Sequence, residues 1–261
     1  MKLIRFMLLM IIVLVISSCL HQNAQQDEYN SQDDFFLEIF NDTLIIICYR
    51  GNRRDVRIPP TMWGLPVTKI GERSFLRFTN RSTGLFPPRT ITSVAIPDSV
   101  TYIGDEAFAG NQLINIDIPD SVTRIGVSAF TWNNLNEVTI PYGVTVIESA
   151  AFSNNQLVNV ILHSNITLIE LGAFENNNLT AIIIPDSVLH IENWAFQSNP
   201  LTSITIGNGV EFEQWGDNNS GGFGASFGQF YERMGRRAGT YTYNNGLWSV
   251  EFRRCANGDF D

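Results

Sequence analysis

Along residues 113–134, LINIDIPDSVTRIGVSAFTWNN, apolar side chains fall at Leu113, Ile116, Ile118, Val122, Ile125 and Phe130. These steps suit neither the 3.6-residue period of a helix nor sustained two-residue alternation. They begin again at 135, 157 and 179, and upstream at 91, with a truncated copy at 201. No residue is inserted between 91 and 210, so the period is a constant 22. A fixed period of this length predicts a solenoid, each repeat being one coil stacked on its neighbours. The fold class expected is a mainly β or α/β repeat protein. A single coil buries too few side chains to offset the entropy of ordering its backbone. Stability must belong to the stack.

The columns assign roles. Phe108, Phe130, Phe152, Phe174 and Phe196 form one inward ladder, with Ala107, Ala129, Ala151, Ala173 and Ala195 beside it. Ile103, Ile125, Ile147, Ile169 and Ile191 form another. The opening L-x-x-I-x-I supplies three more inward columns, those of Leu113, Ile116 and Ile118. Asn111, Asn133, Asn155, Asn177 and Asn199 repeat just before it. These asparagines read either as an internal ladder bonding turn backbone, or as residues tolerated in a left-handed turn. Neither role is catalytic.

The pattern L-x-x-[VI]-x-I-P-x-x-V-x-x-I-x-x-x-A-F resembles the BspA-type leucine-rich repeat of bacterial cell-surface proteins, over about residues 56 to 210. The coils depart from many members in their compact length and in carrying Asn where those have Cys. The resemblance implies a right-handed curved solenoid with a parallel sheet on one face, and no particular ligand. The tail F-Y-x-x-x-G-R-x-A-G-T-Y-T-Y-x-N-G-x-W-S, from Phe230, also resembles segments that follow such repeats.

On a strand, the third and fifth positions of L-x-x-I-x-I point away from the core. The third column is Ser93, Asn115, Glu137, Asn159, Ala181, Ser203, and the fifth is Ala95, Asp117, Thr139, Ile161, Ile183, Thr205. Most are small or polar, but Ile161 and Ile183 are adjacent and apolar, as a contact patch would be. The candidate binding residues are Asn115, Asp117, Glu137, Thr139, Asn159, Ile161, Ala181 and Ile183.

The ends break the period. Lys2 and Arg5 precede an apolar run and Ile16-Ser17-Ser18-Cys19. That arrangement reads as an export signal over 1–18, too short in its apolar part for a membrane span. Its end resembles the bacterial lipobox, which makes Cys19 the expected lipidation site and the lipid the only membrane contact. Residues 19–34 are then the lipidated cysteine and a flexible polar tether. Residues 35–66 are expected to form an N-terminal hairpin cap turning at Asn41-Asp42, plus a degenerate first repeat; repeats follow over 67–210. Phe75 and Phe108 stand eleven residues further apart than the period allows. The excess is a loop within 77–89 carrying Arg77, Arg81 and Arg89, a second candidate binding segment. Residues 211–261 are read as a linker and a C-terminal cap. That cap is a helix from Ser226 to Arg237, opened by a Ser226–Gln229 capping box, then a hairpin turning at Asn245-Gly246.

Composition narrows the partners. Lysine and arginine total 17 against 26 acidic residues, for a net charge of −9. Removing Lys2 and Arg5 leaves 15 − 26, or −11. This balance argues against a nucleic-acid or anionic-lipid partner. No CxxC, HExxH, GxSxG or phosphate loop occurs, and His163 and His190 lie in different columns, so no enzyme, cofactor or metal site is expected. Cys48 and Cys255 sit in opposite caps, roughly 25–30 Å apart at about 4.8 Å per coil. That exceeds the span of a disulfide, so both are expected free, with Cys48 buried. The function expected is a lipid-anchored monomer of the cell envelope, at the outer membrane and surface-exposed. It would bind a protein or surface polymer through its sheet face, in adhesion or cell–cell contact. An envelope structural scaffold and a hydrolase of envelope or host polymers are the alternatives.

Overall fold

The computed structural model describes residues 29–76, 90–213 and 225–253. The expected signal segment over 1–18, Cys19, the expected loop at 77–89, the expected linker after 213, the Ser226 side chain and Cys255 lie outside the described residues. The chain enters through a hairpin of β1 (Phe35–Phe40) and β2 (Thr43–Tyr49), followed by β3 (Asp55–Arg57), β4 (Thr61–Met62) and β5 (Leu65–Ile70). Asn41 and Asp42 both take positive φ, the geometry of a type I′ hairpin turn. Coil by coil, the array then contributes β6 (Ser93–Ala95), β7 (Tyr102–Ile103), β8 (Arg124–Ile125), β9 (Glu137–Thr139) and β10 (Val146–Ile147). It continues with β11 (Asn159–Ile161), β12 (Leu168–Ile169), β13 (Ala181–Ile183), β14 (His190–Ile191), β15 (Ser203–Ile206) and β16 (Glu211–Phe212). Helix α1 (Ala225–Arg233) and the hairpin β17 (Gly239–Asn244) with β18 (Leu247–Phe252) close the other end.

Each coil is a loop with three sides. The L-x-x-I-x-I opening forms the front. The I-P-x-x-V turn follows, tied by bonds such as Val122 N–H to the Pro119 carbonyl at 3.0 Å. A two-residue strand then forms a side ladder, and an Ala-Phe turn leads back to the asparagine corner. That turn needs a left-handed residue in every coil: Glu106, Ser128, Ala150, Gly172 and Trp194 all have φ between 52° and 61°.

Two features depart from a single parallel sheet on one face. The side strands form parallel ladders of their own, β5-β7-β8 and β10-β12-β14-β16. The front pairs only in sets: β3 with β6, β9 with β11, and β13 with β15. Residues 115–117 form no strand at all.

The interior is held by side chains. Rings stack from Phe75 to Phe196 at centroid spacings of 4.9–5.6 Å. Tyr49 of β2 adds a rung, 5.3 Å from Phe75, so the cap continues the ladder it covers. The asparagines bridge coils. Asn155 Oδ1 accepts from Leu135 N–H at 3.1 Å, and its Nδ2 donates to the carbonyls of Phe130, Phe152 and Ser153 at 3.0–3.2 Å. Asn111, Asn133, Asn177 and Asn199 repeat this bonding. Left-handed backbone in that corner falls one residue earlier, at Gly110, Trp132, Asn154, Asn176 and Ser198. The ladder reading, not the turn reading, describes the conserved spacing within this chain.

The ends correct three expectations. The tether does not run to residue 34: Asn30 is buried, and its side chain accepts from Arg57 N–H and donates to the Tyr49 hydroxyl. Helix α1 stops at Arg233 rather than Arg237, because Gly235 and Arg236 turn left-handed and the Arg236 N–H bonds back to Tyr231. Cys48 is a free thiol but only half-buried, since the strand places it beside a bulge between Phe36 and Leu37. Phe227 and Tyr231 of α1 are fully buried against Phe212 and Tyr241. The final hairpin extends the front, β17 running antiparallel to β15.

Candidate binding surface

The front face is built from the outward positions of each opening segment. Val138, Val160, Ile182 and Ile204 turn inward to the core, so their sequence neighbours must turn out. Asn115, Asp117, Glu137, Thr139, Asn159, Ile161, Ala181 and Ile183 are all exposed. Ile161 and Ile183 leave 46% and 68% of their surface in water.

The breaks in the front ladder sort these residues into two recesses. Where residues 115–117 leave the sheet, a recess of about 350 Å³ is lined by Asp117, Asp120, Glu137 and Thr139 over a floor of Ile118 and Val138. Between β11 and β13, which adjoin without a backbone ladder, a groove of about 300 Å³ is lined by Asn159, Ile161, Leu162, Ala181 and Ile183. Leu162, in a column buried in most coils, is only half-buried and opens into this groove. Asn115 lines neither recess. One recess is acidic and the other apolar.

Charge is unevenly spread. Residues 90–213 hold five aspartates and eight glutamates, and Arg124 is their only Lys or Arg. Arg124 is already engaged: its Nε lies 2.5 Å from Glu148 Oε1, and its guanidinium sits 5.4 Å from the Tyr102 ring. The bond to Glu148 raises the Arg124 pKa, and burial raises that of Tyr102. Glu106 accepts two bonds from Arg73, which hold its carboxyl below the usual range. Other carboxylates serve as backbone caps: Glu170 accepts from the Ser149 N–H and hydroxyl, and Glu192 from the Leu171 N–H. Among the described residues no group of His, Cys, Asp or Glu could hold a metal ion, and no helix is long and apolar enough to cross a membrane.

Residues 79–203 match the model of the BspA type leucine rich repeat region, in 6 copies. These coils are BspA-type leucine-rich repeats. Among solved structures, a leucine rich cell surface protein from Faecalibacterium prausnitzii A2-165 is 25% identical, with a TM-score of 0.52. The match covers 88% of this chain and 59% of that one, so this chain spans less than two thirds of that relative's length. The pneumococcal vaccine antigen PcpA (TM-score 0.56, 21% identity, 70% of this chain and 51% of that one) shares the fold. So does the leucine rich repeat protein of T. pallidum (0.50, 21%, 67% and 81%). No curated protein sequence matches.

Sequence reasoning missed the exposed aromatics. Trp63, Trp132, Trp194 and Tyr142 are 44–62% exposed. A signal was present in the columns: Trp132 stands among Gly110, Asn154, Asn176 and Ser198, and Trp194 among Glu106, Ser128, Ala150 and Gly172. A bulky ring in a column of mostly small or polar residues is an exception that packing does not demand.

Proposed function

We propose that this protein is a lipid-anchored, surface-exposed binding module that captures a protein or surface polymer through its front face, in adhesion or cell–cell contact. The observation carrying this reading is the adjacency of an apolar groove at Ile161 and Ile183 to an acidic recess at Asp117 and Glu137. An apolar anchor beside a charged specificity element is the usual anatomy of a protein-recognition patch. Membership of a repeat family with cell-surface representatives supports the location. The sequence around Cys19 supports covalent lipid as the anchor.

Two measurements test the reading. Cys19→Ala should move the chain from the detergent phase to the aqueous phase without changing its circular dichroism; unchanged partition removes the anchor. Protease treatment of intact cells should remove the array, whereas complete protection would favour the envelope scaffold.

A further inference from the structure

The side ladder of β5, β7 and β8 continues through β2 to β1, the last strand of its sheet. Phe40 and Thr43 flank a two-residue turn, so they and the pair Glu38–Ile45 bond directly across the hairpin. Leu37 and Ile39 therefore aim their N–H and C=O groups away from β2. The strand reads FFLEIF, and Phe36, Ile39 and Phe40 remain 44%, 60% and 51% exposed. An open apolar edge of this kind is a template for another strand unless charge or proline blocks it. Glu38 is the only charged residue of β1. The Arg50 guanidinium lies 3.2 Å from the ring centroid of Phe36, which is two residues from Glu38 on the same face.

We propose that β1 is a self-association edge, to which a second copy of this chain adds its own β1, antiparallel about a two-fold axis at Leu37. Charge and length select this register. An axis at Glu38 would set two carboxylates directly opposite each other, which repulsion disfavours. An axis at Ile39 would pair only residues 38–40 of the strand. The axis at Leu37 pairs residues 35–39 and lets Leu37 exchange N–H···O bonds with its copy. It also sets Glu38 opposite Phe36 of the second copy, beside the Arg50 guanidinium that covers that ring. Both ion pairs form together, because a two-fold axis repeats every contact. A charge pattern that complements itself favours a second copy over an unrelated strand. The edge lies apart from the front-face recesses, so this inference does not rest on the function proposed above. It replaces the monomer expected from the sequence.

The test is sedimentation velocity of the full chain in density-matched detergent. Loading concentrations run from about 5 to about 200 µM, the range suited to an interface smaller than about 1,200 Å². Salt of about 0.15 M, with a Debye length of about 8 Å, screens the net charge more than the contact pair. The parent should shift from monomer to dimer across this range. Glu38→Arg and Arg50→Glu should each abolish the shift, and the double swap should restore it at least partly. Melting curves show which variants fold. Where a charge variant does not fold, Ile39→Pro decides: it deletes an N–H that faces away from β2, so the hairpin should hold and the dimer should be lost. A dimer that survives Ile39→Pro, or that neither charge change weakens, forms through another part of the chain and overturns the inference. So does a parent, or a folded double swap, that stays monomeric at the highest concentration.

Discussion

The asparagine corner and the front face are made by the same coils, yet they are built on opposite terms. At the corner every coil is bonded to the one before it, by one amide accepting an N–H and donating to carbonyls in both. At the front, the backbone ladder joins coils only in sets, and residues 115–117 take no part. The difference teaches where the stack keeps its rigidity. Cohesion is concentrated in buried side chains, which frees the front to open recesses and vary its residues without loosening the array.

The contrast can be broken from the inside. Phe152→Ala empties a fully buried rung between Phe130 and Phe174, at 5.5 and 5.6 Å. Equilibrium denaturation should show a loss of about 3–5 kcal/mol; a loss below about 1 kcal/mol would mean that the neighbouring rings collapse without cost. Asn155→Ala strands the Leu135 N–H and takes a donor from three carbonyls. It should cost about 2–3 kcal/mol, because buried groups are left unpaired.

The outside should answer differently. Ile161→Asp with Ile183→Asp places charge in water, so the melting curve should shift by no more than about 0.5 kcal/mol. Capture of a front-face ligand from a binding assay should nevertheless fall. If the double variant unfolds instead, the strands are turned by one residue and the outward column is a core column. The smallest effect is expected at the Arg73–Glu106 pair. The Glu106 carboxyl is held below its ordinary value by the Arg73 bond, so its contribution is present above the unfolded pKa and is lost as pH falls through the folded one. The Arg73 side chain is exposed and the pair solvent-screened, so the acid unfolding midpoint of Arg73→Gln should differ only slightly from the parent's, the smallest difference in the series.

The same division decided what could be read from the sequence. Interior ladders were legible because burial imposes one residue type at a fixed interval: phenylalanine and asparagine recur every 22 positions, and their stacking and bonding follow from the repeat alone. Tyr49 was not legible as a rung, because the cap reaches the ladder by a strand outside the period. The hairpin turns were legible from Asn-Asp and Asn-Gly pairs, but the end of α1 was set by Gly235, which the amphipathic pattern of Phe227, Phe230, Tyr231 and Met234 runs past. On the front, outward direction was legible and grouping was not. Whether Asp117 and Glu137 share a recess depends on which strands pair, and nothing in their spacing encodes a missing ladder.

Each bridging asparagine touches only its own coil and the coil before. A joint that is the same at every level makes no reference to how many levels there are. The molecule is therefore a stack whose length is quantised: removing residues 135–156 in register should close the gap with the same bonds and bring the two caps nearer by one step of about 4.8 Å. Gain or loss of whole coils would then adjust the reach of the array, and the number of recesses it offers, in integers and without redesign of the interior.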